Sequence, residues 1–533
     1  MGVSEAQVFN INKGGFTMNQ RKPLLSEDWL SLWLGLIVFI LSLGVVFNID
    51  LLGWGVKTST WVSLSNAFSP VSKAYAGLSP VLSIFLTYLF MLVIVGIGNW
   101  MLGGSPKEFF WAFTTVFILS FACWVVGNFA NIAATTPAEM KKYGISWSLK
   151  LTGEAGFIIA LLLGLFIGNV SPKFAEMLKP AITPELYVKT AIVIMGAGIG
   201  IKAIENSSLA FSIVFLGLCA ILAAYLIFWS VVYYISRKYF KFSREWSAPL
   251  ASGISICGVS AAIATGAAIK ARPVVPIMVS SLVVIFAVVE LLILPFLAQQ
   301  FLWHEPLVAG AWMGLAVKTD GAATASGAVA DALVVAKAAE NGVFFQKDWV
   351  LNTATNVKVF IDVFIGIWAF ILAYIWTKFI ENRGANSNQK VPARQIWERF
   401  PKFVLGYILT FLIFLVIGLS NPEFVKTTKV ETKNVVQIDP TTKTEKVVTI
   451  TETKTLPGVG VQSTNQANVF RTLFFVLTFF TIGLVSNFRK LWEEGIGKLA
   501  AIYIIALFGF IIWVALLIAW LFFHGVQPPT ISG

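Results

Sequence analysis

Apolar runs of about 20 residues, separated by short polar stretches, recur along most of this 533-residue chain. A helix of that length crosses the hydrocarbon core of a bilayer, so the pattern predicts about thirteen membrane spans. They fall near 29–49, 81–102, 109–133, 153–170, 186–203, 210–236, 249–269, 274–301, 306–330, 350–378, 402–420, 469–488 and 498–523. The span 249–269 differs in character, reading Ser252-Gly253-Ile254-Ser255-Ile256-Cys257-Gly258-Val259-Ser260 and continuing small and hydroxylated. Lipid cannot hydrogen-bond a distorted backbone, so irregular turns at membrane depth survive only inside protein or beside a watery cavity. The stretch predicts a broken helix that builds a site; the alternative is a helix whose small residues serve close packing. Gly196, Gly198 and Gly200 in the span 186–203 read as close packing, because no Lys-Ser/Thr follows to make a phosphate loop.

The polar stretches orient the chain. Basic residues gather in 236–244 (Arg237, Lys238, Lys241, Arg244), in 378–402 (Lys378, Arg383, Lys390, Arg394, Arg399, Lys402), in Arg489–Lys490 and in Arg21–Lys22. Counting spans puts all four on one side, which predicts a cytoplasmic amino terminus and an extracytoplasmic carboxyl terminus. Lys141, Lys142 and Lys150 fall on the other side and fit less well. The one sizeable soluble piece, 421–467, has two Thr- and Val-rich arms around Asp439–Pro440, the pattern of a β-hairpin. It serves either as a dimer or partner contact or as a solvated linker.

Composition narrows the class. The chain is 57% hydrophobic and 12% charged, which is the balance of an all-α polytopic membrane protein. Its net charge of +12 lies in short loops, so no nucleic-acid partner is expected. The first residues are polar, without a cleavable signal. Cys123, Cys219 and Cys257 form no CxxC pair, and His304 and His524 are the only histidines. With no HExxH, GxSxG or Walker loop either, no catalytic residue, metal, cofactor or ATP coupling is expected, and an enzyme is disfavoured.

The last ten spans divide into 153–301 and 306–523, five each, and an odd number inverts the second block. The fourth span of each block, 249–269 and 469–488, carries an interruption, at Gly258 and at Gly483. The resulting organisation is a tail (1–28), accessory helices (29–133), a first repeat (134–301), a second repeat in two parts (302–420 and 468–525) split by the hairpin insertion (421–467), and a short tail (526–533).

Ser255-Ile256-Cys257-Gly258-Val259-Ser260-Ala261-Ala262 followed by Ile269-Lys270-Ala271 resembles the SICGxxA…KA motif of the YeiH family, whose members are described as sulfate exporters. Gly156-Phe157 to Gly168-Asn169, Ile192 to Ile204, Trp312-Met313-Gly314 to Gly327, and Ile482-Gly483-Leu484 to Leu491 line up in order, so the resemblance covers roughly 110–525. The first two spans have no counterpart there. The resemblance implies a relative of the cation–proton antiporter and bile-acid transporter superfamily, with a panel domain, a core domain in which two discontinuous helices cross, elevator motion and a homodimer. The chain departs from the family at Lys318-Thr319-Asp320-Gly321-Ala322, where relatives carry His-Glu/Asp-x-Ala-Gln, and at Gly266, where some carry an acid.

Half-helix amino termini carry unpaired N–H groups and partial positive charge, which suits an anion. The expected substrate site is therefore the crossing of 249–269 with 469–488: Ser255, Cys257, Gly258 and Ser260 on one side, Gly483, Ser486 and Asn487 on the other. Lys318 stands near mid-span, either as counter-charge to the anion, in place of a coupling sodium ion, or in a structural pair with Asp320 or Asp362; Lys358 and Asp362 lie in the next span at helical i,i+4 spacing. Thr324, Ser326 and Asn356 are candidate polar lining. Asp320 and Asp362, with Glu290 third, are the candidate carriers of a coupling proton or sodium ion; Glu290 reads alternatively as a structural carboxyl. The function expected is a secondary transporter, an exporter of a small anion such as sulfate, sulfite or a sulfonate, in a bacterial inner membrane. The alternatives are a cation-coupled transporter of another solute and an anion channel.

Overall fold

The computed structural model describes residues 23–134, 137–149, 153, 155–205, 207–272, 274–380, 397, 401–438, 445–486 and 497–530. Helices dominate. In chain order the membrane-length helices and half-helices are α1 (Glu27–Ser42, running on as a 3-10 turn to Phe47), α2 (Pro80–Met101), α3 (Pro106–Gly127), α4 (Ala155–Val170), α5 (Pro184–Glu205), α6 (Ser207–Lys238), α7 (Arg244–Ser255), α8 (Val259–Ala268), α9 (Val274–Phe301), α10 (Pro306–Ala316), α11 (Asp320–Glu340), α12 (Trp349–Val363), α13 (Ile365–Ile375), α14 (Phe403–Ser420), α15 (Val459–Val485), α16 (Gly497–Ala506) and α17 (Ile512–Phe523). Among the described residues, eleven helices are individually long and apolar enough to cross a membrane, and α4 with its bent continuation makes twelve. The interrupted pair α7–α8 lies at the seventh predicted span, 249–269. The chain is an integral membrane protein, and its outward faces show it: Val81, Phe85, Leu89, Val93, Ile97 and Trp100 of α2 form an exposed apolar stripe at helical spacing, the face lipid covers.

Among the described residues, two small ribbons interrupt the helices. β3 (Lys426–Ile438) pairs antiparallel with β4 (Glu445–Pro457), from Lys426↔Pro457 to Ile438↔Glu445. This is the predicted hairpin; its turn, with Asp439–Pro440, lies outside the described residues. A shorter ribbon, β1 (Val56–Thr58) with β2 (Phe68–Pro70), follows α1 and is not foreseen in the sequence, where its three-residue strands are too brief to show a period.

The helices sort into two packed bodies. In the first, α5 packs on α1, α14 and α15, and α15 packs on α3 and α4. Small residues let these backbones close: a Cβ on Gly164 would lie 2.2 Å from the Phe480 carbonyl, and one on Gly196 would lie 2.4 Å from that of Tyr407. The accessory helix α1 is part of this body, with Gly35 against Val193 and Ser42 Oγ 3.1 Å from Ser463 Oγ. The second body is α6 to α13 with α16 and α17. At its centre run α10 and α11, whose residues from Pro306 to Val334 are all buried.

The position of the second interruption corrects the sequence reading. The first is as expected: α7 ends at Ser255 and α8 starts at Val259, with Gly258 at φ +66° between them. The second is between α10 and α11, at Val317–Thr319, while α15 continues unbroken through Gly483 to Val485. Gly483 is small for packing: a Cβ there would lie 2.4 Å from the Leu161 carbonyl. The crossing is therefore 244–268 with 306–340, not 249–269 with 469–488. The interrupted spans are the fourth of the first block and the first of the second, so they do not occupy matching places.

The basic-loop pattern carries a test. Single cysteines at Thr442 and Lys390 are expected to react with an impermeant thiol reagent from opposite faces of a sealed vesicle. Reaction of both from one face would break the span count.

Candidate functional site

The two breaks touch. A Cβ on Gly258 would lie 3.0 Å from the Lys318 carbonyl and 3.3 Å from Thr319 Cγ2. Each break is stabilised locally. The Gly258 N–H bonds the Gly253 carbonyl at 3.0 Å, closing the end of α7 through a left-handed residue as helix ends often do. Thr319 caps α11, its Oγ1 accepting the Ala322 N–H at 3.1 Å, and Asp320 places an acid in the first turn, where the helix dipole favours it.

Lys358 binds the breaks together. Its ammonium, buried on α12, donates to the carbonyls of Ile256 (3.0 Å), Lys318 (3.1 Å) and Val317 (3.4 Å). These are the negative ends of both first halves, α7 and α10, so one cation satisfies two helix C-termini. The same Nζ lies 3.9 Å from Asp320 Oδ1. Asp362, one helical turn beyond Lys358, completes the cluster with Cys257: one donor atom from each of Cys257, Asp320 and Asp362 lies within 4.8 Å of the others. All three residues are buried, and the carboxyl of Asp362 stands within hydrogen-bond reach of the Cys257 thiol and of Asp320. With both acids ionised, the cluster holds two negative charges against one positive. One sulfur and two oxygens are a set that can take a metal ion, but the adjacent ammonium opposes a dication, so the set better matches a proton or monovalent cation.

The remaining candidates fall in different places. Lys318 turns its ammonium to the Leu315 carbonyl and over the Phe228 ring, 5.0 Å from its centroid; the lysine that faces the carboxylates is Lys358. Glu290 accepts the Lys318 backbone N–H at 3.1 Å and the Tyr503 hydroxyl at 3.2 Å. Both its oxygens are engaged within one body, so it braces the second break. Ser255 is buried beside the first break with Oγ unpartnered, as are Thr324 and Ser326 on α11. Asn356 accepts the Tyr407 hydroxyl, a polar link between the two bodies. The backbone of Ser260 lies in the first turn of α8, and its side chain lies outside the described residues. Ser486 ends α15 with its hydroxyl on the Ile482 carbonyl at 2.7 Å, and its own carbonyl accepts Asn169 Nδ2 at 2.9 Å. With Gly483 it belongs to the α4–α15 contact, not to the crossing. Asn487 lies outside the described residues.

Two charged residues escaped the sequence reading. Lys189, buried on α5, sits 2.9 Å from Asp28 Oδ1 and 3.8 Å from Glu27 Oε1, tying α1 to the first body. Arg471 is the only charged residue of α15. A lone cation beside an apolar run is the signal that marks Arg471 in the sequence.

The architecture is that of a polytopic helical membrane protein organised around two interrupted helices that cross at a buried acidic pair. More particularly, the chain belongs to the UPF0324 membrane protein family: the family described as "Conserved hypothetical protein 698" matches residues 125–436. A UPF0324 membrane protein of Nitrosomonas europaea is 39% identical over 95% of this chain and 97% of its own. An uncharacterised protein of Archaeoglobus fulgidus is 43% identical over 34% of this chain and 89% of its own. A UPF0324 membrane protein of Rhodopirellula baltica is 27% identical over 89% of this chain and 73% of its own. No solved structure matches the chain.

Proposed function

We propose that this protein is a secondary transporter, an exporter of a small anion, in which a proton or monovalent cation at the Asp320–Asp362 pair drives the change of access. The charge imbalance at the crossing carries this reading. Two carboxylates share one ammonium in a buried site, and a buried charge without a partner is costly. Loading the pair with one positive charge makes the cluster neutral, so the loaded and empty states differ in how readily the crossing leaves a hydrated face. Such an ion-dependent preference is what coupled transport requires. Interrupted helices bring backbone polar groups to the site without exposing them to lipid. The two packed bodies supply the parts for elevator motion, with α10 and α11 carried in the moving body. The setting we propose is a bacterial inner membrane, amino terminus cytoplasmic, carboxyl terminus outside, as a homodimer.

The test is flux in proteoliposomes holding a pH- or sodium-sensitive dye. An imposed sulfate gradient is expected to drive proton or sodium movement with wild type, and to drive none above the protein-free background with Asp320→Asn or Asp362→Asn. Sulfate and sulfite gradients that move neither ion with wild type would remove the reading.

A further inference from the structure

Each interrupted segment doubles back at its break, so the crossing is a meeting of two tips. Glu245, the second residue of α7, accepts both the backbone N–H (2.8 Å) and the Nε (3.0 Å) of Arg272, which follows α8. A continuous helix from 245 to 272 would hold those residues about 40 Å apart. Nearer the break, Thr265 Oγ1 donates to Ser252 Oγ at 2.7 Å, and a Cβ on Gly253 would lie 3.4 Å from that of Ala262. As one partner's number rises the other's falls, so α7 and α8 are antiparallel arms with Gly258 at their tip.

α10 and α11 repeat the arrangement. Cβ atoms on Gly310 and Gly314 would each lie 2.6 Å from a carbonyl, of Val350 and of Ala354, so α10 runs parallel to α12. α11 runs against α12: Asp320 is 3.9 Å from Lys358, and a Cβ on Gly327 would lie 2.6 Å from that of Ala354. α11 is long enough to cross a membrane, yet its far end stays on the side where α10 starts. Glu305, just before α10, binds His524 Nδ1 at 2.8 Å and the Gly525 N–H at 3.2 Å. Gln346, beyond α11, gives its N–H to the Pro529 carbonyl at 2.8 Å. The tip of this second pair is Val317–Thr319.

α9 separates the two bases. Its Pro276 packs at Gly266 and its Val283 at Gly258, and its Glu290 holds the second tip. Its 28 residues measure about 42 Å, more than the ~30 Å of a hydrocarbon core, so the two pairs enter from opposite faces. α7 and α10, of 12 and 11 residues, are about 18 and 16 Å long, which brings the tips together about midway. Arg237, Lys238, Lys241 and Arg244 lead into the first pair, and Lys270 and Arg272 leave it; that charge marks its base as cytoplasmic. Lys358 holds both tips at once, through Ile256 of the first and through Val317 and Lys318 of the second. Opening either tip leaves the ammonium the carbonyls of the other. Opening both leaves it none of the three, which is costly for a buried charge.

We propose that α7–α8 and α10–α11 are re-entrant helical hairpins, entering from the cytoplasmic and the outer face, and that each gates the Asp320–Asp362 pair toward its own face, with Lys358 as the latch that keeps one closed while the other opens. The gating role rests on the transporter reading; the hairpins themselves do not.

The test is the face from which single cysteines react with an impermeant thiol reagent, in right-side-out and inverted vesicles, with Cys123, Cys219 and Cys257 replaced by Ala. Lys270→Cys is expected to react from the face of Lys390→Cys, and His304→Cys from the face of Thr442→Cys. A segment that crosses the membrane gives the reverse, and the reverse at either position would overturn the proposal. Cys257, kept as the one cysteine, is expected to react with a small charged methanethiosulfonate from either face, about tenfold or more slowly than Lys390→Cys because a gate must open first. Reaction from one face alone, or from neither, would overturn the gates. The hairpin pattern with Cys257 reached from both faces, in a protein that shows no ion-coupled flux, would remove the transporter reading and leave the gated hairpins standing. Ion-coupled flux with the crossing pattern would remove the hairpins and leave the transporter reading.

Discussion

Lys358→Met is expected to be among the most damaging single substitutions in the chain. It strips one donor from three buried carbonyls at the two breaks and leaves Asp320 without the ammonium 3.9 Å away. Removing one partner of a buried charge pair costs about 3–5 kcal/mol, and the orphaned carbonyls add to that. The thermal midpoint of the detergent-solubilised protein should fall sharply. Lys358→Met with Asp320→Asn should recover part of the loss, because the second change removes one of the two stranded carboxylates and leaves Asp362 and the carbonyls unmet. Lys318→Met should cost less, since that ammonium serves a single carbonyl and an aromatic face. A midpoint indifferent to Lys358→Met would mean that the lysine does not hold the breaks together.

Gly258→Val is the second substitution with a large expected effect. At φ +66° an L-residue costs about 1–2 kcal/mol and a β-branched one more. Space compounds the strain: the new Cβ would lie 2.6 Å from Val283 Cγ1 and 3.0 Å from the Lys318 carbonyl. The second contact is with backbone of the other interrupted helix, so the two breaks must separate. Gly258→Val is expected to give little monodisperse protein, and Gly258→Ala a folded protein with a lower midpoint. Monodisperse Gly258→Val at the wild-type midpoint would mean that the breaks do not meet at this glycine.

Much of the fold is legible in the sequence because lipid imposes a simple length rule. All thirteen predicted spans coincide with helical segments, and the hairpin 426–457 shows in its Thr–Val alternation around a turn. The first interruption is legible too, since Gly258 sits among small and hydroxylated residues. The second is harder. Gly483 and Ser486 have the composition of a break, yet small residues serve helix contact as well as helix rupture, and only the facing Gly164 and Leu161 decide between them. The true break is marked by Lys318-Thr319-Asp320, where Thr319 caps a new helix; inside an apolar run this reads equally as charged residues in a continuous span. Asp320, Asp362 and Cys257 all appear among the residues singled out from sequence, and the fold brings them together. Lys358 over Lys318 as their cation is a matter of which way each side chain points, and that is set by three-dimensional packing.

The central claim is that the Asp320–Asp362 pair binds the ion that drives the change of access. Charge displacement in the purified protein on a solid-supported membrane, after a jump in pH or in sodium, tests it without knowledge of the substrate. Wild type is expected to give a transient current that saturates with one of the two ions, and the double variant Asp320→Asn/Asp362→Asn, folded by its thermal midpoint, to give none. A current of wild-type size in that variant, or no current from wild type with either ion, would contradict the account.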